Sequence, residues 1–260
     1  MQLNNLSEVI IGTTLAKLPV YILKEFFDNQ KEIQQSYPNS ELVISTSDNN
    51  FRTDIPKGLN CEIINYRKPS VIDTDNHFIG NKIRIRDMVE GRNTVRSYFL
   101  ESNAEYFLSV DADMIYDPNL ISILMAEIKN YDIVMSGYMK KNDRLGYSLG
   151  CALIRREVLE RVKFNCLIFP SSLDIPNIVE DGWMFEHDAI QQGFKIKRGI
   201  FVEIEHVISK KERLRVKPRR TTFLEKIKTN SAIRYLIVKL CILTKRDLPR
   251  IILKKIGGRL

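Results

Sequence analysis

A short apolar segment that runs directly into two aspartates, at 106–113, constrains the fold of this chain more than any other feature. Residues 106–110 are rich in the aromatic and β-branched types that favour a buried strand. Asp111 and Asp113 follow, separated only by Ala112. Because alternate residues of a strand point the same way, we expect both carboxylates to face one point beyond its carboxyl end. In open α/β sheets, ligands bind at that edge.

Two carboxylates this close together repel each other unless a cation lies between them. Oxygen ligands suit Mg2+ or Mn2+, which proteins commonly share with the phosphates of a substrate. A D-x-D triplet also occurs in exposed turns and helix caps, so the triplet alone leaves a structural explanation open. The nearby Asp117-Pro118 pair is typical of a helix start and predicts a helix over 118–128.

Strand-like and helix-like segments alternate along the chain, which predicts an α/β fold with a mostly parallel central sheet flanked by helices. We expect the segment Gly91-Arg92-Asn93 to interrupt the second helix. Small residues at 150–152 allow either a ligand or a neighbouring side chain to approach the backbone closely. The pattern predicts strands at 8–14, 41–46, 61–65, 106–110, 133–137 and 195–205, and helices at 19–34, 78–103, 118–128, 156–162 and 182–192. The segment 148–154 leads into the helix at 156–162.

The composition is that of a globular chain of 260 residues, enough for one large domain or a domain with an appendage. No signal-peptide pattern and no run of 18 apolar residues is present, so we expect neither a secretory leader nor a transmembrane span. Four cysteines without metal-type spacing predict reduced thiols in a cytoplasmic protein: Cys61, Cys151, Cys166 and Cys241.

Charge is distributed unevenly between the body of the chain and its tail. Residues 207–260 contain 17 Lys or Arg and 3 Asp or Glu, a net charge of +14. Since the whole chain carries +8, residues 1–206 carry −6. We therefore predict a domain at 1–208 and a basic, amphipathic, helical extension at 209–260.

Apolar and basic residues alternate along 219–256, which suits a helix lying in the plane of an anionic membrane surface. The expected localisation is therefore cytoplasmic, with peripheral association with a membrane. Packing of this segment on the body, or on a second subunit of a homodimer, is the alternative. Nucleic acid is not expected as a partner, because aromatic residues that could stack on bases are nearly absent from the tail.

Other polar residues lie where they could serve either the fold or a site. Arg92 and Arg96 are four residues apart and share a helix face, which could contact phosphates or face solvent beside acidic partners. Glu180 and Asp181 precede a helix, where acidic residues act as caps or, facing a cleft, as a general base. His206 follows a strand, where a histidine is either structural or a ligand.

Seven segments, in this order and spacing, resemble a GT-A-type glycosyltransferase, the nucleotide-sugar-dependent class with a single Rossmann-like domain. The resemblance covers about residues 7–207. The segments are V-I-I-G-T-T, I-S-T-S-D-N-N, G-R-N-T-V-R, L-S-V-D-A-D-M, G-C-A-L-I-R-R-E-V-L, V-E-D-G-W-M-F-E-H-D-A and E-I-E-H.

The resemblance implies transfer of a sugar from a nucleoside-diphosphate donor to the hydroxyl of an acceptor. The tail suggests that this acceptor is a membrane-borne or lipid-linked glycan. By position, the resemblance assigns contacts with the donor to Thr13, Asp48, Arg92, Arg96, Asp111 and Asp113.

The same resemblance implies that Mn2+ or Mg2+ is held by Asp111, Asp113 and His206. It assigns Asp181, beside Glu180, the removal of the acceptor proton in an inverting mechanism. The family pair is often followed by a further acidic residue, whereas Gly-Trp-Met follows here, so a retaining mechanism stays open. A nucleotidyltransferase, or a non-catalytic module that binds nucleotide sugars or membranes, is the alternative function.

Overall fold

The computed structural model describes residues 7–15, 20–49, 51, 55–67, 77–139, 145–168, 178–179, 181–215 and 231–244. The helices are α1 (Val20–Ser36), α2 (His77–Glu101), α3 (Leu120–Glu127), α4 (Arg156–Arg161), α5 (Asp181–Gln191) and α6 (Ser231–Thr244). The strands are β1 (Val9–Leu15), β2 (Ser40–Thr46), β3 (Cys61–Asn65), β4 (Tyr106–Val110), β5 (Met114–Tyr116), β6 (Ile133–Met139), β7 (Leu145–Arg155), β8 (Leu167–Ile168), β9 (Ile178–Val179), β10 (Ile196–Ile200), β11 (Ile204–Val207) and β12 (Arg213–Arg215).

The predicted α/β class with a mostly parallel sheet is confirmed. The main sheet has seven strands in the order β10-β6-β7-β4-β1-β2-β3. Within it, β7 runs antiparallel to both neighbours, β4 and β6, and the other adjacent strands pair in parallel. Two smaller sheets complete the described fold, β12-β11-β5 and β8-β9.

Each central strand buries both faces, because helices cover the sheet on both sides. In β1, Val9 and Ile11 pack with the aromatic residues of α1, while Ile10 between them packs on the opposite side with Val95 and Phe99 of α2. The strands β2 and β4 alternate in the same way. Each strand is thus a continuous apolar run whose alternate side chains enter two different cores, one on each face of the sheet, as expected for a parallel sheet.

Two predicted elements differ from those observed. The helix α2 continues through Gly91 and the two residues after it without interruption. The absence of a side chain at Gly91 lets the helix pack closely against Thr14 of β1. The expected strand at 195–205 divides into β10 and β11, which belong to different sheets. Gly199 has a φ of 83°, and the pairing of β10 with β6 shifts between Arg198 and Ile200. This irregularity ends β10 and lets the chain leave the main sheet.

The described part of the predicted extension contacts the body. The strand β12 pairs with β11, and its Arg213 and Arg215 both form ion pairs with Glu205. The helix α6 packs Val238 and Cys241 into a small apolar cluster with α5. The division at residue 208 stays a prediction, and 216–230 and 245–260 lie outside the described residues.

Among the helices of the described ranges, none combines the length and the apolar character that a crossing of the bilayer requires.

Candidate functional site

The carboxyl ends of β1, β2 and β4 lie at one edge of the sheet, because these three adjacent strands are parallel. Thr13 lies near the end of β1, Asp48 follows β2, and Asp111 follows β4 directly. Strand order and direction therefore bring the predicted donor-contacting segments to the same edge, where open α/β sheets bind ligands.

A second pairing brings His206 to this edge from far along the chain. The strand β5, which follows the D-x-D segment at once, pairs antiparallel with β11, so that Met114 lies opposite His206. The backbone amide of Val207 donates to the carbonyl oxygen of Asp113 at 2.8 Å. As a result, Nε2 of His206 lies 3.3 Å from Oδ2 of Asp113.

Arg92 joins the D-x-D segment to the start of α5. Its Nη2 donates to Oδ1 of Asp111 at 3.2 Å, and its Nη1 forms an ion pair with Oδ2 of Asp181. Arg92 and Asp181 are both buried, whereas the side chain of Asp111 is 31% exposed. The guanidinium thus lies between two carboxylates that belong to different elements, and the Asp111 side chain is the most exposed of the three groups.

Arg92 reaches this position because α2 lies against the sheet at the preceding residue. A Cβ on Gly91 would lie 2.3 Å from Cγ2 of Thr14 and 3.0 Å from Oγ of Ser45. Only glycine permits this approach of the helix to β1 and β2. Next along the helix, Asn93 exchanges two hydrogen bonds with the backbone of Phe164, at 2.9 and 3.1 Å, which fixes the rotation of α2.

The Asp111 carboxylate experiences opposing influences. Burial raises its pKa above the ordinary value, the Arg92 guanidinium opposes that rise, and the charges of Asp113 and His206 act in opposite directions on it. A bound cation would favour the ionised form of Asp111 in the same way as Arg92 does.

The backbone at Asp111 is held by a buried phenol, that of Tyr116. The Asp111 amide donates to the Tyr116 hydroxyl at 2.9 Å, and that hydroxyl lies 2.7 Å from the carbonyl oxygen of Gly150. Burial raises the pKa of Tyr116 well above its ordinary value, so the group stays a neutral hydroxyl. Asn29 of α1 in turn exchanges two hydrogen bonds with the Tyr116 backbone, at 2.7 and 2.9 Å. Sequence reasoning missed both residues.

Gly150 is the close neighbour of the site carboxylate. A Cβ there would lie 2.4 Å from Oδ2 of Asp111. Of the small residues at 150–152, Gly150 thus allows the Asp111 side chain to approach the β7 backbone closely.

The side-chain ligand atoms at this edge suit a hard divalent cation. The three predicted ligands, Asp111, Asp113 and His206, do not converge on one point in this structure, however. Asp113 and His206 lie together, and the Asp113 side chain is 32% exposed, whereas Asp111 is turned to Arg92. Within the described ranges, no group of three His, Cys, Asp or Glu side chains is gathered closely enough to hold a metal ion. A cation here would need ligands from the substrate as well, which is how Mg2+ is commonly bound.

The remaining predicted site residues have distinct surroundings. Arg96 is buried, and its Nε donates to the carbonyl oxygens of Leu159 and Val162, at 2.7 and 3.1 Å. It therefore supplies hydrogen bonds to carbonyl oxygens at the C-terminal end of α4. Asp48 is exposed in a turn after β2, and Glu180 lies outside the described residues. Thr13 is buried, and its hydroxyl has no hydrogen-bond partner among the described groups.

No protein-family model matches the chain, and a comparison with curated proteins returns no match. Among solved structures, the mannosyltransferase PcManGT from Pyrobaculum calidifontis, in complex with GDP-Man and Mn2+, aligns at 12% identity with a TM-score of 0.44. The alignment covers 74% of this chain and 54% of PcManGT. S. aureus TarS 1–349 in complex with UDP-GlcNAc aligns at 12% identity with a TM-score of 0.47, over 88% of this chain and 72% of TarS.

TarS 1–349 in complex with UDP aligns at 13% identity with a TM-score of 0.46, over 74% of this chain and 58% of that chain. This chain therefore spans only a little over half the length of PcManGT and of TarS in this last alignment. At such identities and TM-scores the likeness is distant, and it assigns neither a reaction nor a ligand to this chain.

Proposed function

We propose that this chain is a metal-dependent GT-A-type glycosyltransferase that moves a sugar from a nucleoside-diphosphate donor to an acceptor hydroxyl. The observation that carries this proposal is the connection from Asp111 through Arg92 to Asp181, beside the Asp113–His206 pair. Carboxylates that could hold a cation thus lie beside a guanidinium and a candidate base. Groups of these types can stabilise a leaving diphosphate and remove a proton.

The donor diphosphate is proposed to bind at the edge of the sheet between Asp113 and Arg92. Asp113 and His206, together with phosphate oxygens of the donor, would hold Mn2+ or Mg2+, which when bound supplies positive charge to the departing diphosphate. Arg92 presents a planar set of donors suited to phosphate oxygens, and it already lies beside the partly exposed Asp111. Its contacts with Asp111 and Asp181 leave other N–H groups of the guanidinium for the ligand.

Asp181 is proposed as the general base at the other end of the Arg92 connection. As the acceptor oxygen bonds to the anomeric carbon, the bond from that carbon to the diphosphate oxygen breaks, and its electron pair leaves with the diphosphate. The hydroxyl proton passes to the Asp181 carboxylate. This single displacement inverts the anomeric centre, and a positioned base contributes about 10²–10⁴-fold to such a step.

The test begins with a thermal-shift screen of nucleoside-diphosphate sugars, each with Mn2+ or with EDTA. We expect one donor class to raise the melting temperature with Mn2+ and to lose this effect with EDTA, since a ligand of the native state stabilises it. With that donor, Asp181→Asn is expected to retain the thermal shift but to release nucleoside diphosphate about 10²–10⁴-fold more slowly. Asparagine keeps the size of the side chain and its capacity to accept from Arg92, and Asp111 remains to pair with the guanidinium. The melting temperature of the variant without ligand checks that the loss of the Asp181 charge leaves the fold intact.

Each alternative function predicts a different result. Near-native turnover of Asp181→Asn would contradict the assignment of the base and favour a retaining mechanism. Release of pyrophosphate from a nucleoside triphosphate, with no reaction of any nucleotide sugar, would indicate a nucleotidyltransferase. Donor binding without release of nucleoside diphosphate above background, with any glycan or lipid-linked acceptor, would indicate a non-catalytic module.

A further inference from the structure

One face of α6 exposes a stripe of three leucines. Leu236, Leu240 and Leu243 recur at intervals of four and three residues, so they lie on one side of the helix. Their exposed fractions are 55%, 44% and 71%. A single exposed leucine is ordinary on a protein surface, but a leucine on each successive turn of one helix face marks an interaction surface.

The orientation of this leucine stripe is fixed by the body of the protein. The opposite side of α6 buries Val238 and Cys241 in a cluster with Met184 of α5. Tyr235 stacks on His187 of α5, with ring centroids 4.9 Å apart and planes at 11°. Because α6 is attached along this side, the leucine stripe points away from the domain as a consequence of packing.

Charge decides which partner fits the leucine stripe. The segment 207–260 carries a net charge of +14, and Lys239 is exposed on α6 between the turns of the stripe. Two copies of this chain joined symmetrically through the stripe would bring two such segments together, which Coulomb repulsion opposes. A surface of anionic lipid headgroups would instead neutralise the charge while its acyl region accepts the leucines.

We propose that the leucine stripe of α6 docks the protein on anionic lipid bilayers, with the helix lying in the plane of the membrane surface. Basic residues of the tail supply the electrostatic attraction, and Leu236, Leu240 and Leu243 enter the boundary between headgroups and acyl chains. The helix packs on α5, whose first residue is Asp181, so docking would hold the candidate site beside the membrane. Docking itself does not depend on the proposed reaction.

The experiment is flotation of the full chain with phosphatidylcholine vesicles, prepared with and without phosphatidylglycerol, at low and high salt. We expect binding to the anionic vesicles that weakens at high salt, and little binding to the neutral ones. Leu243→Gln should weaken this binding about tenfold, which is the effect of losing roughly one buried leucine contact. Ile242→Gln is the matched control, since Ile242 is also exposed but lies about 200° around the helix from Leu240.

Joint replacement of Leu236, Leu240 and Leu243 by glutamine should abolish flotation, with the melting temperature as the check on folding. If that triple variant does not fold, the comparison of Leu243→Gln with Ile242→Gln decides alone. Equal flotation of wild type and Leu243→Gln, or no flotation of either, would overturn the proposal. So would a lipid-free dimer in sedimentation velocity that Leu243→Gln dissociates, since the stripe would then be a subunit interface.

Discussion

Replacement of Gly150 by alanine tests whether the position of the Asp111 carboxylate matters. The added Cβ would lie 2.4 Å from Oδ2 of Asp111 and 3.0 Å from its Cγ, whereas ordinary van der Waals contact begins at 3.4 Å. The carboxylate must therefore move by about 1 Å, which disturbs its 3.2 Å contact with Arg92. A misplacement of about 1 Å at a reacting group can cost about 10²-fold in rate.

We therefore expect Gly150→Ala to lower kcat/KM for the donor by about 100-fold. The side chain of Asp111 is 31% exposed and can yield toward solvent, so the free energy of unfolding should fall by no more than about 1 kcal/mol. The assays are the steady-state release of nucleoside diphosphate at varied donor concentration and the melting temperature by calorimetry.

Gly12→Ala is the matched control, because the added Cβ would also clash at 2.4 Å, but with the core ring of Phe107. Overpacking a core costs about 1–3 kcal/mol, and each kcal/mol lowers the melting temperature of a chain of this size by roughly 2–4 °C. Gly12→Ala should therefore lose stability while its folded fraction keeps most of its donor affinity. Native kcat/KM in Gly150→Ala, or a loss that merely follows stability as in Gly12→Ala, would refute the reasoning.

Three further predictions concern groups around the site. Arg92→Met leaves Asp111 and the buried Asp181 without their shared cation, so the free energy of unfolding from urea denaturation should fall by about 3–5 kcal/mol. An unchanged free energy of unfolding would contradict the connection from Asp111 through Arg92 to Asp181. Tyr116→Phe removes the hydroxyl that holds the Asp111 amide, so we expect KM for the donor to rise about tenfold, with a smaller change in kcat; a native KM would show that the phenol does not position the carboxylate. Burial raises the pKa of Cys151 to about 12, so only about one thiol in 10⁴ is ionised at pH 8. Ellman's reagent should therefore react with Cys151 only after unfolding. Fast modification of Cys151 in the native protein, located by mass spectrometry, would contradict its burial.

The sheet could be predicted from the sequence because its strands carry their own signal. In β1 and β4, apolar residues on both faces predict strands with helices on each side, and polar residues follow each strand. Parallel strands share a carboxyl edge, so the position of Thr13 and Asp111 at the same edge follows from strand direction. Their neighbourhood also needs the pairing of β1 with β4, which the structure supplies. The resemblance assigns Asp113 and His206, with Asp111, to one metal site, which stays a prediction. The pairing of β5 with β11 brings the Asp113 and His206 side chains to 3.3 Å.

The contacts between distant elements could not be predicted in this way. Arg92 and Arg96 share a helix face in the sequence pattern, yet four residues advance a helix by about 6 Å. That advance carries Arg96 to the carbonyl oxygens at the end of α4, while Arg92 stays at the edge of the sheet. The Asn29–Tyr116 clamp joins residues 87 positions apart and has no local signal, because its hydrogen bonds exist only after α1 packs against β5.

The most direct test of the central claim is calorimetric titration of UDP and GDP into the wild-type protein and Asp113→Asn, with Mn2+ or with EDTA. The carboxylates after β4 are proposed to bind the donor diphosphate together with a divalent cation. We predict binding of one nucleotide by the wild type with Mn2+, and its loss both in EDTA and in Asp113→Asn. Equal affinity with and without the metal, or in the variant, would contradict the claim.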